Sequence, residues 1–237
     1  MKSNILNIFQ KEFSSYFTSP MAYIFLVVFG LVNGYFFSNT FFLIGQSDLR
    51  ALFNIIPMVY LFFVPAITMS LIAKEKNLGT MEIICTLPIK DHEFVIGKYL
   101  ATLQILIGTL LPTVWYVILL YWFGNPDLWP LLTSYIGLLL FGGATLAIGL
   151  LASSLTSNQV LAAVMSFGLL LLLTLTNKAA LVTVGLSATI LEEISLTAHF
   201  EDFARGIVDV GNVVYYLTVI GIFVFATIRS LESRRWR

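Results

Sequence analysis

The sequence predicts an all-α membrane protein with six transmembrane helices, and three observations lead to that fold class. Of its 237 residues, 58% are hydrophobic and only 11% are charged, and the mean hydropathy is +0.91. A soluble domain carries about 25% charged residues, so this composition cannot cover a water-exposed surface. Six apolar stretches are each long enough to cross a bilayer, which takes about 20 helical residues. The basic residues, finally, concentrate in segments that fall on one side of the membrane.

The six predicted spans follow one another along most of the chain. They cover residues 21–44, 53–72, 99–123, 128–151, 160–176 and 210–228. Pro57, Pro65 and Pro112 lie inside spans and predict kinks, which a helix bundle tolerates because neighbouring helices satisfy the freed carbonyls. No span interior contains Asp, Glu, Lys, Arg or His; Lys98 lies at an edge, where its side chain is expected to reach water. We therefore expect neither a proton relay nor a voltage sensor.

Lysine and arginine set the expected orientation. With the N-terminus in the cytoplasm, ten of the thirteen basic residues fall in cytoplasmic parts: Lys2, Lys11, Lys74, Lys76, Lys90, Lys98, Arg229, Arg234, Arg235 and Arg237. Only Arg50, Lys178 and Arg205 fall outside. The sequence thus predicts a multi-pass protein of the bacterial inner membrane with both termini in the cytoplasm, which an even number of spans allows.

Residues 1–19 predict an amphipathic helix that lies in the membrane interface. Two sets of residues recur at helical spacing on opposite faces. The apolar set is Ile5, Phe9, Phe13, Tyr16 and Phe17, and the polar set is Asn4, Asn7, Lys11, Ser14 and Thr18. Pro20 then breaks the helix and turns the chain into the bilayer. The alternative is a helix packed on a soluble partner.

The segment 73–98 is the most charged connection between any two predicted spans. Gly79 suits a tight turn, and Thr80 suits a helix N-cap with Glu82 in the first helical turn. Pro88 would stop such a helix after about two turns. The pattern predicts a short helix set crosswise on the cytoplasmic face, and the alternative is a solvated loop.

The segment 177–209 before the last span is acidic yet too apolar for a free loop, because 179–191 is mostly Ala, Leu and Val. Each half is too short to cross the membrane, so we expect a re-entrant hairpin in the outer leaflet or at the outer mouth. In the fourth span, Gly143 and Ala147 form a small-xxx-small pair, which fits either packing within the chain or a dimer seam.

Residue patterns for catalysis or cofactor binding do not stand out. Cys85 is the only cysteine, and His92 and His199 are interpreted as ordinary loop histidines. Gly97-Lys98 does not complete a phosphate-binding loop, because His92 stands where the first glycine is needed and Tyr99 where Ser or Thr is needed. We expect no catalytic residue, metal or cofactor in this chain. Its zero net charge does not suggest a nucleic-acid partner.

At residues 75–88 the sequence resembles the permeases of ABC-2 type, the membrane subunits of a class of ATP-driven ABC transporters. The residues that carry the resemblance are Glu75-Lys76, Gly79-Thr80-Met81-Glu82, Ile83-Ile84 and Pro88. Three further stretches agree, namely Lys11-Glu12 with Ser19-Pro20, Ser157-Asn158-Gln159, and His199-Phe200 through Gly206-Ile207-Val208-Asp209. The chain looks closest to gliding-motility-associated permeases, which also resemble permeases for nitrous-oxide-reductase maturation.

The resemblance implies one ABC-2 transmembrane domain over residues 1–237 and a role for each of its special segments. Residues 1–19 would be the elbow helix, 80–87 within the 73–98 loop the coupling helix, and 177–209 the outer re-entrant helices. The implied ATPase-coupling residues are Glu75, Gly79, Thr80, Glu82 and Pro88.

The resemblance also implies partners. A separate ABC ATPase subunit would hold ATP and Mg, and a second permease copy or a homologous membrane subunit would complete the transporter. An accessory protein with a periplasmic domain is a further implied partner, and membrane lipid surrounds the spans.

Three functions remain open at this point. The first is an ATP-driven exporter of a hydrophobic, lipidic or polymeric substrate. The second is a mechanotransmitting subunit that acts on a periplasmic partner and transports nothing. The third is a membrane enzyme or scaffold without an ATPase, which would contain buried ionisable pairs or a metal site that the sequence does not indicate.

Overall fold

The structure is a computed structural model of the chain and describes residues 4–18, 20–39, 50–82, 89–123, 127–183 and 185–235. Within these residues the regular structure is helical, without strands. The helices are α1 (Asn4–Thr18), α2 (Pro20–Ser38), α3 (Arg50–Thr68), α4 (Ala73–Asn77), α5 (Asp91–Phe123), α6 (Leu128–Leu155), α7 (Gln159–Val182), α8 (Leu186–Ile194), α9 (Leu196–Ala204) and α10 (Val210–Arg235). The predicted all-α fold is confirmed for this part of the chain.

Five stretches are long and apolar enough to cross a membrane. They are α5, α6, α7, most of α10, and α3 together with α4. The bent pair of α1 and α2 brings the number to six if it is counted as one span. The structure therefore supports five or six spans, against the predicted six. Residues 40–49, which include the end of the first predicted span and the loop after it, lie outside the described residues. Pro57, Pro65 and Pro112 all lie inside helices, as predicted.

Helix α6 lies at the centre of the bundle and contacts α3, α5, α7, α9 and α10. Its glycines permit this close packing, since an added Cβ at Gly137 would lie 2.6 Å from Phe203, and one at Gly143 would lie 3.0 Å from the Tyr99 hydroxyl. Ala147, the partner of Gly143 in the small-xxx-small pair, is fully buried within the chain. Of the two interpretations left open for this pair, packing within the chain is the one that the structure shows.

The polar ends of the spans continue as helix beyond the predicted membrane boundaries. Helix α5 already begins at Asp91, and α7 continues to Val182. The segment before α10 contains two nine-residue helices, α8 and α9, which join at Ser195. Both are too short to span a bilayer, in agreement with the predicted shortness of each half; their depth in the membrane stays a prediction.

Candidate functional site

The candidate site lies where α3 ends and α5 begins, an end of the bundle that carries Lys74, Lys76 and Lys90 and is called the lysine-rich end below. Three short segments meet there: α1, α4 and the first turns of α5. Two of them are the segments in which the sequence predicts special function.

Helix α1 packs lengthwise on the start of α5. The Asn4 side-chain amide donates to Glu93 Oε2 at 3.0 Å, and four residues later Ile8 sits against Gly97, where an added Cβ would lie 2.8 Å from the isoleucine. Residues four apart share one helix face, so Glu12 continues the same line of contacts. The N-terminal helix is therefore fixed to a long helix of its own chain, in addition to any contact with the membrane interface.

Lys98 connects this helix pair to α4. Its side chain is only 2% exposed, and its Nζ lies 2.9 Å from Glu12 Oε1 and 2.9 Å from Glu75 Oε1. The ammonium also lies 5.1 Å from the centre of the Phe94 ring. We call Glu12, Glu75 and Lys98 the Lys98 junction, because they link α1, α4 and α5. The prediction that Lys98 reaches water from a span edge is wrong, since two carboxylates hold it inside the protein.

The junction buries the Lys98 ammonium between two partly buried carboxylates, which makes its pairing important. A buried ion is costly unless an opposite charge and hydrogen bonds compensate it, and removing one partner leaves the other uncompensated. Here one ammonium serves two carboxylates. Glu75 Oε2 is buried and has no hydrogen-bond partner among the described residues. The junction is thus held together by its single lysine.

Helix α4 is fixed to α6 as well. Ser153 Oγ accepts hydrogen bonds from the backbone N–H groups of Ile72 and Ala73, both at 3.1 Å, and it donates to the Met69 carbonyl at 3.2 Å. The Lys76 ammonium donates to the Ser154 carbonyl. Both serines follow the fourth predicted span, at residues 128–151, and their contacts become evident only when α3 and α6 are placed side by side.

The turn after α4 contains the glycine that was predicted for a tight turn. Gly79 adopts φ +70°, a conformation that other residues rarely take. Residues 80–82 are helical, and the Glu82 N–H donates to the Gly79 carbonyl at 3.2 Å. The Thr80 hydroxyl donates back to the Glu75 carbonyl at 3.2 Å. The Thr80 side chain therefore connects the helical residues 80–82 to α4. This contact differs from the predicted N-cap hydrogen bond.

The structure sorts the predicted coupling residues into two groups. Glu75 and Thr80 point toward the rest of the chain, where they contact Lys98 and α4. Gly79 and Glu82 are exposed, beside Leu78 with 63% of its surface exposed. Pro88 and the remainder of the predicted 80–87 helix from residue 83 onward lie outside the described residues.

At the opposite end, His199 occupies an ordered position that the sequence did not reveal. It lies on α9, with Nδ1 2.7 Å from Asn212 Oδ1 and Nε2 3.1 Å from the Glu193 carbonyl. Its ring stacks on Tyr215 at 3.9 Å between centroids. The interpretation as an ordinary loop histidine is therefore wrong, because the side chain connects α8, α9 and α10.

Comparison with known families gives a match that covers the middle of the chain. A family model described as ABC-2 family transporter protein matches residues 45–190, more than half of the chain. The matched region runs from before α3 to within α8 and includes Glu75, Gly79, Thr80 and Lys98; α1 and α10 lie outside it. A search of curated proteins finds no significant match.

Proposed function

The chain belongs to the ABC-2 transporter family, and on that premise we propose that it is the permease subunit whose movement a separate ABC ATPase subunit drives. The observation that carries the proposal is a series of contacts. It begins at the exposed turn around Gly79 and reaches α1, α4 and α5 through the partly buried Lys98 junction. ATP and Mg bind in the partner subunit, and this chain contributes the surface that receives its movement. The lysine-rich end is then cytoplasmic, both termini lie in the cytoplasm, and the membrane is the bacterial inner membrane.

The docking surface consists of Leu78, Gly79 and Glu82. These residues are exposed, and they precede the rest of the proposed coupling helix at residues 80–87. A push on this surface reaches Glu75 through the Thr80 hydroxyl and the short turn, and it reaches Lys98 through the ion pair. From Lys98 the displacement passes directly into α5, a predicted membrane-crossing helix.

Two further connections spread the displacement. Glu12 extends the Lys98 junction to α1, the proposed elbow helix. Ser153 and Lys76 attach α4 to the end of α6, the central helix of the bundle. The geometry thus supports a role for Glu75 in orienting the docking surface, while Glu82 contacts the ATPase itself.

A buried group of ionisable side chains would also suit a membrane enzyme. In the Lys98 junction, however, both carboxylates bind the same ammonium, and each of the three residues comes from a different helix. This arrangement favours a link between helices over a reactive pair, so we place the enzyme alternative last.

The substrate that we propose is hydrophobic, lipidic or polymeric. Several threonine hydroxyls in α5 and α6 donate to backbone carbonyls of their own helix three or four residues earlier, as at Thr102, Thr109, Thr113 and Thr145. Polar groups that are satisfied in this way do not offer a hydrophilic path through one chain. They support transport along an interface with a second permease copy or a homologous membrane subunit.

The second candidate function is mechanotransmission to a periplasmic accessory protein. Exposed apolar side chains where α7 ends and α8 begins favour it, since Leu181, Val182 and Leu186 are each more than 80% exposed. Such a surface suits a protein or lipid contact. Lipid translocation in ATP-energised vesicles of the whole complex separates the two functions, because only a transporter moves a labelled lipid when ATP is hydrolysed.

The direct test of docking is Glu82→Lys in the full complex. Charge reversal at an exposed docking position should weaken co-purification of the ATPase about tenfold and abolish its coupling to transport, since like-charge contacts oppose binding. Membrane insertion and thermal midpoint should not change, because exposed substitutions usually alter stability by less than about 0.5 kcal/mol.

Glu232→Lys is the matched control. Helix α10 begins at the end opposite the lysine-rich end, so Glu232, close to the last residue of α10, lies on the same side of the protein as Glu82. Its side chain is 41% exposed. It should leave ATPase binding unchanged. If Glu82→Lys couples ATP hydrolysis to transport at the normal rate, the proposed docking surface is wrong.

A further inference from the structure

A cluster of polar side chains at the end opposite the lysine-rich end has no role in the proposed function. At its centre is His199, which lies on α9 and is partly buried. Its Nδ1 lies 2.7 Å from Asn212 Oδ1 on α10, and its Nε2 lies 3.1 Å from the Glu193 carbonyl on α8. Both nitrogens of the ring therefore face an oxygen atom.

Neither of these oxygens can donate a hydrogen bond to the ring. A backbone carbonyl only accepts, and the orientation of the Asn212 amide is fixed because its Nδ2 donates to Asp202 Oδ2 at 2.9 Å. A neutral imidazole has one N–H group, so it would leave the lone pair of its second nitrogen against one of the two oxygens. The imidazolium has an N–H group on each nitrogen and satisfies both contacts.

Two further features of the surroundings favour a positive charge on this ring. Glu193 is the next-to-last residue of α8, so its carbonyl belongs to the negative end of that helix's dipole. The ring also stacks on Tyr215 with 3.9 Å between the centroids, and the face of an aromatic ring attracts a cation. The hydrogen bonds, the helix end and the stacked ring thus all favour the same protonation state.

The charged and titratable groups around the ring agree with this assignment. The Asp202 carboxylate on α9 faces the ring through the bridging amide, and α8 adds the exposed carboxylates of Glu192 and Glu193. Helix α10 contributes the phenol rings of Tyr215 and Tyr216. Among the described residues, α3, α6 and α7 pack on α9 without bringing a charged side chain into hydrogen-bond contact with the ring. Two more charged residues near α9 pair with each other at 3.3 Å, namely Glu201 and Arg205.

We propose that protonated His199 is a clamp that holds the C-terminal end of α8, and that loss of its proton opens this contact. When the ring becomes neutral, its remaining hydrogen stays on Nδ1, because Asn212 Oδ1 is the closer and better fixed acceptor. The bare Nε2 then faces the Glu193 carbonyl, and the two atoms separate. Tyr215 still donates to the Ile194 carbonyl at 2.7 Å, so α8 is loosened without being detached.

The clamp makes the position of α8 depend on acidity, because histidine changes charge near neutral pH. Acid holds α8 in place, and a rise in pH loosens it. Helix α8 begins at Leu186, within the exposed apolar surface that suits a protein or lipid contact. Proton binding at His199 would therefore control how this surface is presented. The inference does not depend on the permease function.

The first test is nitrogen NMR of the full chain in nanodiscs, with isotope-labelled histidine. The chain has only two histidines, and His92 is exposed at the lysine-rich end, so it serves as the internal comparison. At about pH 6, both nitrogens of His199 should carry hydrogen, and at about pH 8 only Nδ1 should. Free histidine favours the opposite neutral tautomer, with its hydrogen on Nε2, and exposed His92 should behave in that way.

The second test is hydrogen exchange of the α8 amides, corrected for the intrinsic effect of pH. Protection should fall about tenfold between about pH 6 and about pH 8, as expected for the loss of one hydrogen bond to a charged group. His199→Gln should show the low protection at both pH values. Glu193→Gln should keep the pH dependence, because only the backbone carbonyl of that residue takes part. His92→Gln is the matched control and should behave like the unmodified protein.

Protection of α8 that does not change with pH overturns the proposal, as does a pH dependence that persists in folded His199→Gln. Loss of the pH dependence in Glu193→Gln would assign the effect to that carboxylate and overturns the proposal too. If His199→Gln does not fold, the NMR result on the unmodified protein still decides, since a neutral ring with its hydrogen on Nε2 contradicts the clamp. Glu82→Lys tests the permease function separately, because it lies at the other end of the bundle.

Discussion

The two ends of the bundle hold their short helices by different kinds of contact. At the lysine-rich end, α1 and α4 are joined to α5 through buried charges in the Lys98 junction. At the opposite end, α8 and α9 are joined to their neighbours mainly by neutral hydroxyl groups that donate to backbone carbonyls. These donors are Tyr216 to Leu196 at 2.7 Å, Tyr215 to Ile194 at 2.7 Å and Thr133 to Phe203 at 2.9 Å.

The difference matters for how strongly the helices at each end are held together. A neutral hydrogen bond fixes one local position and contributes about 1 kcal/mol. A buried ammonium shared by two carboxylates ties three helices together, because moving any one of them separates charges in a low-dielectric surrounding. The lysine-rich end is thus the end whose helices are tied together by charge. Three substitutions test this contrast.

Lys98→Met should have the largest effect. It leaves the partly buried carboxylates of Glu12 and Glu75, which are 17% and 16% exposed, without their cation. The expected cost is about 3 kcal/mol, the low end of the range for a broken buried pair, and the thermal midpoint in detergent should fall. Lys90→Met, at an exposed lysine, is the control. Adding Glu12→Gln and Glu75→Gln to Lys98→Met should recover most of the loss, since a neutral packed site replaces the unpaired charges. A fully stable single variant would contradict the importance of the junction.

Gly97→Ala should have an intermediate effect. The added methyl meets Ile8 at 2.8 Å and pushes α1 away from α5, at a cost of about 1–3 kcal/mol. Gly108→Ala on the same helix is the matched control, because nothing lies within 4 Å of its added Cβ, and alanine there should stabilise slightly. Thermal unfolding of both variants gives the comparison. Equal midpoints would mean that α1 does not depend on close contact with α5. Ile8→Ala should relieve the clash in the Gly97 variant.

Tyr216→Phe should have the smallest effect of the three. It removes the buried hydroxyl that donates to the Leu196 carbonyl. The free energy of unfolding should fall by only about 1 kcal/mol, because this carbonyl, at the start of α9, still accepts a hydrogen bond from the helix backbone. Tyr215→Phe removes the same kind of bond at a less buried position and should cost less. A loss as large as that of Lys98→Met, measured by the same thermal unfolding, would show that the opposite end is not the more weakly held one.

Local features of the site were predictable because they depend on neighbours in sequence. Gly79 was expected in a tight turn and takes φ +70° there. The helical continuation at Thr80 and Glu82 also follows from the residues around that turn. By contrast, the inward orientation of Glu75 could not be predicted, since its cation lies on another helix and charge alone does not distinguish docking from internal pairing.

The sequence by itself determined the solvent of this protein and the helical nature of its spans, because hydrophobic length and backbone hydrogen bonding in lipid leave few alternatives. The tertiary structure decided which polar residues meet. Glu12 and Lys98 are 86 residues apart, and His199 finds its partners on α8 and α10. Such contacts depend on how helices are positioned in space, and helical periodicity describes only one helix at a time.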